Sequence, residues 1–160
     1  MPEKKRKRLR LQNFDYTNNG AYFVTVCTHN KADLFGPVGE KTDASAMIEQ
    51  VFEETLREYP QMECCRYVVM PNHFHALLVI ENMTDFSAQS VAHFMQAFKS
   101  KTTVCYIRLV KAGKAAPFAG KLWQRSYYDH IIRNEQDFQE VWKYIEENPL
   151  RWQLKRQTEL

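Results

Sequence analysis

Long apolar segments, internal repeats and zinc-binding cysteine pairs are all missing from this sequence. No apolar run reaches transmembrane length, so the pattern does not predict a membrane-spanning helix. The four cysteines, Cys27, Cys64, Cys65 and Cys105, form no Cys-x-x-Cys pair, which argues against a structural zinc site. A signal-peptide pattern is also missing, and we therefore expect reduced thiols and a cytoplasmic protein.

Acidic residues are scarce in the first ten positions, although the chain as a whole is nearly balanced in charge. Its 160 residues are 44% hydrophobic and 26% charged, as in an ordinary single globular domain. Residues 1–10 hold six basic residues and one acidic residue, whereas the other 150 hold 16 basic and 18 acidic residues. A basic arm of this kind suggests phosphate binding, and a solvated tail is the alternative. Its basic residues are Lys4, Lys5, Arg6, Lys7, Arg8 and Arg10.

Residue patterns predict four strands and three helices. β-Branched and aromatic residues mark the strands, and apolar residues at helical spacing mark the helices. Asp43 is the expected N-cap of the first helix, Ser87 of the second and Asn134 of the third, which Pro149 should end. The predicted strands are residues 21–28, 63–70, 75–80 and 126–133, and the predicted helices are residues 43–59, 87–111 and 135–147.

This order, β-α-β-β-α-β followed by a helix, predicts an α+β fold of the ferredoxin-like type. Such a fold has a four-stranded antiparallel sheet with two helices on one face. The other face is then free, and the C-terminal helix should lie near it or at its edge. We expect a basic flexible arm at residues 1–12, one domain at 13–152 and a polar tail at 153–160.

Two histidines, separated by one bulky apolar residue, stand in a strand-like run. Side chains two apart on a strand share a face, so His73 and His75 should lie side by side while Phe74 points into the core. Two converging imidazoles are half of a divalent-metal site. Taken alone, the pattern also fits a surface pair or isolated core histidines.

The last predicted helix places a tyrosine beside its apolar stripe. At 100° per residue, Tyr144 lies on the shoulder of that stripe, and Asn148 lies on the same shoulder one turn later. A boundary tyrosine with a half-buried ring and a wet hydroxyl would show the same pattern. The helix alone therefore leaves the role of Tyr144 open.

Two long motifs resemble one enzyme family. The first is Val69-Met70-Pro71-Asn72-His73-Phe74-His75, which resembles the His-hydrophobic-His motif of the HUH single-strand DNA nucleases. The second spans residues 123–135 and 144–152 and resembles the C-terminal half of single-tyrosine transposases, most of all the REP-associated tyrosine transposases. The resemblance covers the chain from Asn13 to about Trp152, and the order and separation of the motifs make it specific.

The resemblance implies a metal-dependent single-stranded DNA endonuclease and strand transferase that cleaves near hairpins. His73 and His75 would bind Mg²⁺ or Mn²⁺, and Tyr144 would form a covalent 5′-phosphotyrosine, leaving a free 3′-OH. Asn148 stands where relatives place a polar third ligand. Glu147 is its rival, about 100° farther round the helix.

Further residues are candidate DNA contacts in such an enzyme. Tyr127 and Tyr128 alternate faces of the predicted last strand, so one should be core and the other exposed and available for base stacking. Tyr128 is the candidate DNA contact and also the second choice of nucleophile. His130 is either a DNA or second-shell contact or a half-buried strand histidine. Lys99, Lys101 and Arg108 line one helix side, where they would contact the DNA backbone or remain solvated.

The expected partner is single-stranded DNA with a hairpin, in particular REP palindromes, bound by a monomer or homodimer in the cytoplasm near the nucleoid. A histidine-triad nucleotide hydrolase is the rival enzyme, but it needs His-x-His-x-His and position 77 is Leu77. A resident, non-mobile protein that only binds hairpin DNA stays open as the alternative. The intact set of His73, His75 and Tyr144 argues against lost catalysis.

Overall fold

The fold is seen in a computed structural model that describes residues 20–80 and 87–158. The predicted basic arm at residues 1–12 lies outside the described residues, so its phosphate binding stays a prediction. Across the described segments, no helix combines the length and apolar character needed to cross a bilayer.

One antiparallel sheet organises the described chain, with strand order β2-β3-β1-β4. This is the predicted α+β ferredoxin-like arrangement with an added C-terminal helix. Apart from the end of the last helix, observed and predicted boundaries differ by about two residues or less. The strands are β1 Gly20–Cys27, β2 Met62–Met70, β3 His73–Ile80 and β4 Tyr128–Ile132, and the helices are α1 Asp43–Arg57, α2 Ser87–Lys111 and α3 Glu135–Thr158.

Side-chain alternation along the strands gives the sheet two apolar faces. Val24 of β1 and Phe74 and Leu78 of β3 pack under α1 and α2 in an aromatic-rich core. The odd-numbered neighbours Phe23 and Leu77 point the other way and pack against α3. The helix buries one stripe against them, made of Phe138, Val141, Trp142 and Ile145. The predicted free face is therefore partly covered by α3.

The predicted N-cap of α1 was off by one residue. Thr42, not Asp43, is the cap: its hydroxyl accepts a hydrogen bond from the Ser45 amide, and the Ser45 hydroxyl accepts one from the Thr42 amide. Because this reciprocal pair satisfies two amides that the helix leaves free, Thr42 outcompetes the acidic residue beside it.

The predicted end of the last helix was wrong, because α3 runs through Pro149 to Thr158. Proline removes one backbone hydrogen bond and crowds the carbonyl four residues back. Contacts beyond Pro149 offset that cost: the Trp152 ring packs against the His73 ring with centroids 5.8 Å apart, and Arg151 pairs with Glu147 at 2.9 Å. The helix therefore continues beyond Tyr144 and Pro149 and brings Trp152 into contact with His73.

Candidate active site

The two histidines of β3 lie side by side, as predicted. Their ring centroids are 4.6 Å apart, while Phe74 between them is fully buried on the opposite face. His75 is 4% exposed and His73 is half-buried. The pair therefore lies at the edge of the sheet face that α3 covers, with His75 the more buried of the two.

Each imidazole has its δ nitrogen hydrogen-bonded to a neighbour. Nδ1 of His75 lies 2.7 Å from the hydroxyl of Thr25, its cross-strand partner on β1, and Nδ1 of His73 lies 2.6 Å from Oδ1 of Asn72. Within the described residues, Nε2 of His75 is the only buried side-chain nitrogen or oxygen without a hydrogen-bond partner. A histidine held at Nδ1 with a free Nε2 is the usual arrangement of a metal ligand.

The environment keeps both rings neutral. Burial, together with the nearby His73, lowers the pKa of His75 to about 3, and burial lowers the pKa of His73. Neutral imidazoles offer the lone pairs that a cation needs. The pair is therefore in its ligand form at neutral pH.

Tyr144 of α3 lies beside this pair. Its ring centroid is 5.6 Å from that of His75 and 5.9 Å from that of Phe23, both edge-on. The side chain is 41% exposed, so its hydroxyl can meet a substrate from solvent. The Arg151 guanidinium lies over the ring, 5.7 Å from its centroid, in a cation–π contact.

Asn148, one turn after Tyr144, reaches the histidines. It is 9% exposed, and its side chain hydrogen-bonds His73. Glu147 is instead engaged by Arg151 at 2.9 Å and by Lys143 at 3.9 Å. The geometry therefore favours Asn148 over Glu147 as the third donor.

The donor set fits a divalent cation of the Mg²⁺ or Mn²⁺ type. No three His, Cys, Asp or Glu side chains that could hold a metal ion come together anywhere in residues 20–80 and 87–158. Two imidazole nitrogens and one amide oxygen leave several positions for water or phosphate oxygens. Such an open site suits a metal that binds its substrate directly.

Tyr128 and His130 lie on β4 at the uncovered side of the same face. Tyr128 is 60% exposed and meets the Phe23 ring edge-on at 6.4 Å. His130 is half-buried and pairs with Asp137 of α3 at 2.8 Å. Of the adjacent tyrosines, one was predicted to be core: Tyr127 is half-buried and packs against the core under α1 and α2.

The three basic residues of α2 lie on the opposite side of the sheet from the histidines. Lys99 donates to the Gln124 and Arg125 carbonyls, and Lys101 pairs with Glu58. Arg108 is exposed. A DNA-backbone role for these residues stays a prediction, and it would need DNA to reach around the helix layer.

Sequence reasoning missed Phe23, which turns out to be central to the site. Its ring stacks on His75 at 5.2 Å, and both Tyr144 and Tyr128 contact it edge-on. It therefore sets the spacing between His75 and Tyr144. Strand alternation gives its face, but only the register of β1 against β3 gives its neighbours.

Sequence comparisons with known proteins point to one family of transposases. The model of the family described as "Transposase IS200 like" matches residues 16–148. An uncharacterized protein of Haemophilus influenzae is 31% identical over 163 residues, covering 92% of this chain and 90% of that protein. The REP-associated tyrosine transposase of Escherichia coli is 25% identical, covering 85% of this chain and 70% of that protein.

A solved structure of a REP-associated tyrosine transposase bound to a REP hairpin shares the fold. Its TM-score is 0.59 at 22% identity, and the match covers 92% of this chain and 73% of that chain. The chain is similar to REP-associated tyrosine transposases; it belongs to the IS200-like transposase family and is a transposase, an enzyme of DNA cleavage and strand transfer.

Proposed function

We propose that this transposase cleaves single-stranded DNA next to a hairpin, with Tyr144 as nucleophile and a divalent cation at the two histidines. One observation carries the proposal: the Tyr144 ring lies 5.6 Å from that of His75, whose Nε2 is buried and unpartnered. A nucleophile and a free ligand nitrogen thus face the same small space.

His73 and His75 would hold the cation through Nε2, with Asn148 supplying an amide oxygen. Mg²⁺ or Mn²⁺ bound there would draw negative charge from the scissile phosphate and orient it. Thr25 and Asn72 hold the two rings by their δ nitrogens, so the ligands are positioned before any metal arrives.

In the proposed reaction the Tyr144 oxygen attacks phosphorus and the bond from phosphorus to the 3′ oxygen breaks. The phenol gives up its proton, and the departing 3′ oxygen takes one up. The products are a 5′-phosphotyrosine and a free 3′-OH, so the phosphodiester energy is kept for rejoining.

Hairpin DNA is the substrate we propose, because a solved relative is bound to a REP hairpin and the exposed side of the site suits unpaired bases. Tyr128 offers an exposed ring for stacking. The basic arm at residues 1–12 and His130 are further proposed contacts. Since the substrate is DNA, we place the enzyme in the cytoplasm, near the nucleoid.

The test is covalent capture of a hairpin oligonucleotide with a single-stranded flank. In Mn²⁺ or Mg²⁺ the wild-type protein should cleave and remain attached to one product, visible as a shifted band on a denaturing gel. Tyr144→Phe should abolish the attached band while hairpin binding stays within about threefold, because only the phenolic oxygen is lost.

Tyr128→Phe is the matched control, since it removes a phenolic oxygen nearby but keeps the ring. It should still form the covalent band. Cutting that continues in excess EDTA would contradict the metal, and a band that survives Tyr144→Phe but not Tyr128→Phe would contradict the nucleophile. Tight hairpin binding without any cleavage would favour the resident, non-mobile binder.

A further inference from the structure

The turn just before His73, formed by Pro71 and Asn72, is hydrogen-bonded to the loop that follows β1. The Pro71 carbonyl accepts from the amides of Leu34 and Phe35 at 2.9 and 3.0 Å. The Asn72 carbonyl accepts from the Thr28 amide at 2.9 Å, and it shares the Thr28 hydroxyl, at 3.1 Å, with the Ala32 carbonyl at 2.8 Å. Three backbone hydrogen bonds and the shared hydroxyl therefore fix the backbone immediately before His73.

That loop contains the strained part of the described backbone. Asn30 and Lys31 both have left-handed backbone angles, with φ of 58° and 53°, and they are the only non-glycine residues in the described segments that do. Such conformations cost about 1–3 kcal/mol each and persist only where the surroundings impose them. Here they point the Lys31 carbonyl at the Asn72 side chain, whose Nδ2 donates to it at 3.3 Å.

The Lys31 carbonyl decides which way the Asn72 amide faces. A carbonyl can only accept, so the NH₂ end of the amide must face Lys31 and the oxygen must face His73. That oxygen, 2.6 Å from Nδ1 of His73, can also only accept. Asn72 therefore favours the neutral His73 ring with its proton on Nδ1 and its lone pair on Nε2. The Asn148 side chain, which also hydrogen-bonds His73, is the competing partner.

We propose that Asn72 is a positioning residue that sets the tautomer of His73. The carbonyl of Lys31, whose backbone is left-handed, fixes the orientation of the Asn72 amide. A neutral histidine in water prefers its proton on Nε2, where it blocks metal binding at that atom. Asn72 reverses this preference before any metal is present. The consequence for metal affinity rests on the proposed function, whereas the tautomer itself does not.

The test reads the tautomer directly, by long-range ¹H–¹⁵N correlation spectra of the His73 imidazole in metal-free full-length protein at pH 8. Wild type should show the proton on Nδ1. Asn72→Ala, which loses the acceptor, should shift His73 toward the Nε2-protonated form. Asn72→Asp keeps an acceptor for Nδ1 and should retain the wild-type tautomer.

Binding of Mn²⁺, followed by electron paramagnetic resonance, is the second readout. Asn72→Ala should bind about 10- to 100-fold more weakly, as expected when an outer partner of a metal ligand is lost. Asn72→Asp should stay within about threefold of wild type. Thr28→Val is the matched control: it loosens the same turn by one hydroxyl, so it should lower thermal stability while leaving the tautomer unchanged.

A wild-type His73 protonated on Nε2, or Asn72→Ala with unchanged tautomer, would overturn the inference. So would a tautomer change in Thr28→Val as large as in Asn72→Ala, because the turn backbone would then be the cause. If wild type shows the proton on Nδ1 but binds no Mn²⁺, the metal of the proposed function fails while the role of Asn72 stands.

Discussion

The two faces of the sheet are built from the same strands but differ in almost every physical property. Under α1 and α2, Phe52, Phe74, Phe94 and Phe98 are fully buried and pack ring against ring. The other face of the sheet is only partly covered by α3. Polar aromatic groups join Phe23 and Phe138 there: the histidine pair and both candidate tyrosines lie on that side.

The difference shows how a small sheet combines stability with chemistry. Apolar rings on the closed face lower the free energy of the folded state by burial alone. The α3 face carries a buried imidazole with an unpartnered nitrogen, which costs stability and which the proposed function uses to bind the metal. Because neighbours along a strand alternate between faces, substitutions one residue apart should separate the two properties.

The largest separation should come from adjacent residues of β3. His75→Ala should lower cleavage more than about 100-fold, because a metal ligand is lost and even outer partners of such ligands cost 10- to 100-fold. Phe74→Leu should lower the free energy of unfolding by about 1–2 kcal/mol, because a fully buried ring is replaced by a smaller side chain. Single-turnover cleavage and urea unfolding measure the two effects.

The expected contrast between His75→Ala and Phe74→Leu can be contradicted by experiment. Cleavage by folded Phe74→Leu protein should stay within about threefold of wild type, since that ring does not face the site. Should His75→Ala cleave normally, or Phe74→Leu lose cleavage as strongly as His75→Ala, the two faces would not divide stability from chemistry.

A smaller effect should separate two neighbours on α3. Asn148→Ala should raise the metal concentration for half-maximal cleavage about 10-fold, and Mn²⁺ should rescue it better than Mg²⁺. Mn²⁺ accepts imidazole ligands more readily, whereas Mg²⁺ demands oxygen-rich octahedral geometry. Glu147→Ala is the control and should leave the metal requirement unchanged, because Glu147 is paired with Arg151. The reverse pattern in metal titrations would make Glu147 the third ligand.

A further effect concerns acid stability without metal. The pKa of His75 is lowered to about 3, so between that value and the ordinary pKa near 6.5 the unfolded chain binds a proton that the folded chain does not. Stability should therefore fall as the pH drops below about 6.5, with His75 contributing up to about 1.4 kcal/mol per pH unit.

Urea unfolding in EDTA at several pH values between 7 and 5 measures this slope. His75→Leu should flatten it, since leucine does not titrate. An unchanged slope in that variant would mean that His75 is not held neutral by burial.

Much of this organisation could be predicted from the sequence. The order of elements follows from residue patterns, and the shared face of His73 and His75 follows from the two-residue period of a strand. Helical geometry likewise put Tyr144 and Asn148 on one shoulder. These are local rules, and they hold because each depends only on neighbours along the chain.

The remaining features depend on contacts distant in sequence. Pro149 was expected to end the last helix, and nothing in the sequence shows that Trp152 packs against His73 beyond it. The place of Phe23 between His75 and Tyr144 depends on strand register and helix docking. The contact from Lys31 to Asn72 likewise joins residues 41 apart in the chain.

The central claim is that Tyr144 is the group that attacks DNA, and peptide mapping of the covalent product tests it most directly. After cleavage in Mn²⁺ and exhaustive nuclease digestion, tandem mass spectrometry should find a nucleotide joined through its 5′ phosphate to the peptide containing Tyr144. The modification should be absent when EDTA is present during cleavage. A nucleotide on Tyr128 or any other residue, or cleaved DNA with no modified peptide, would contradict the account.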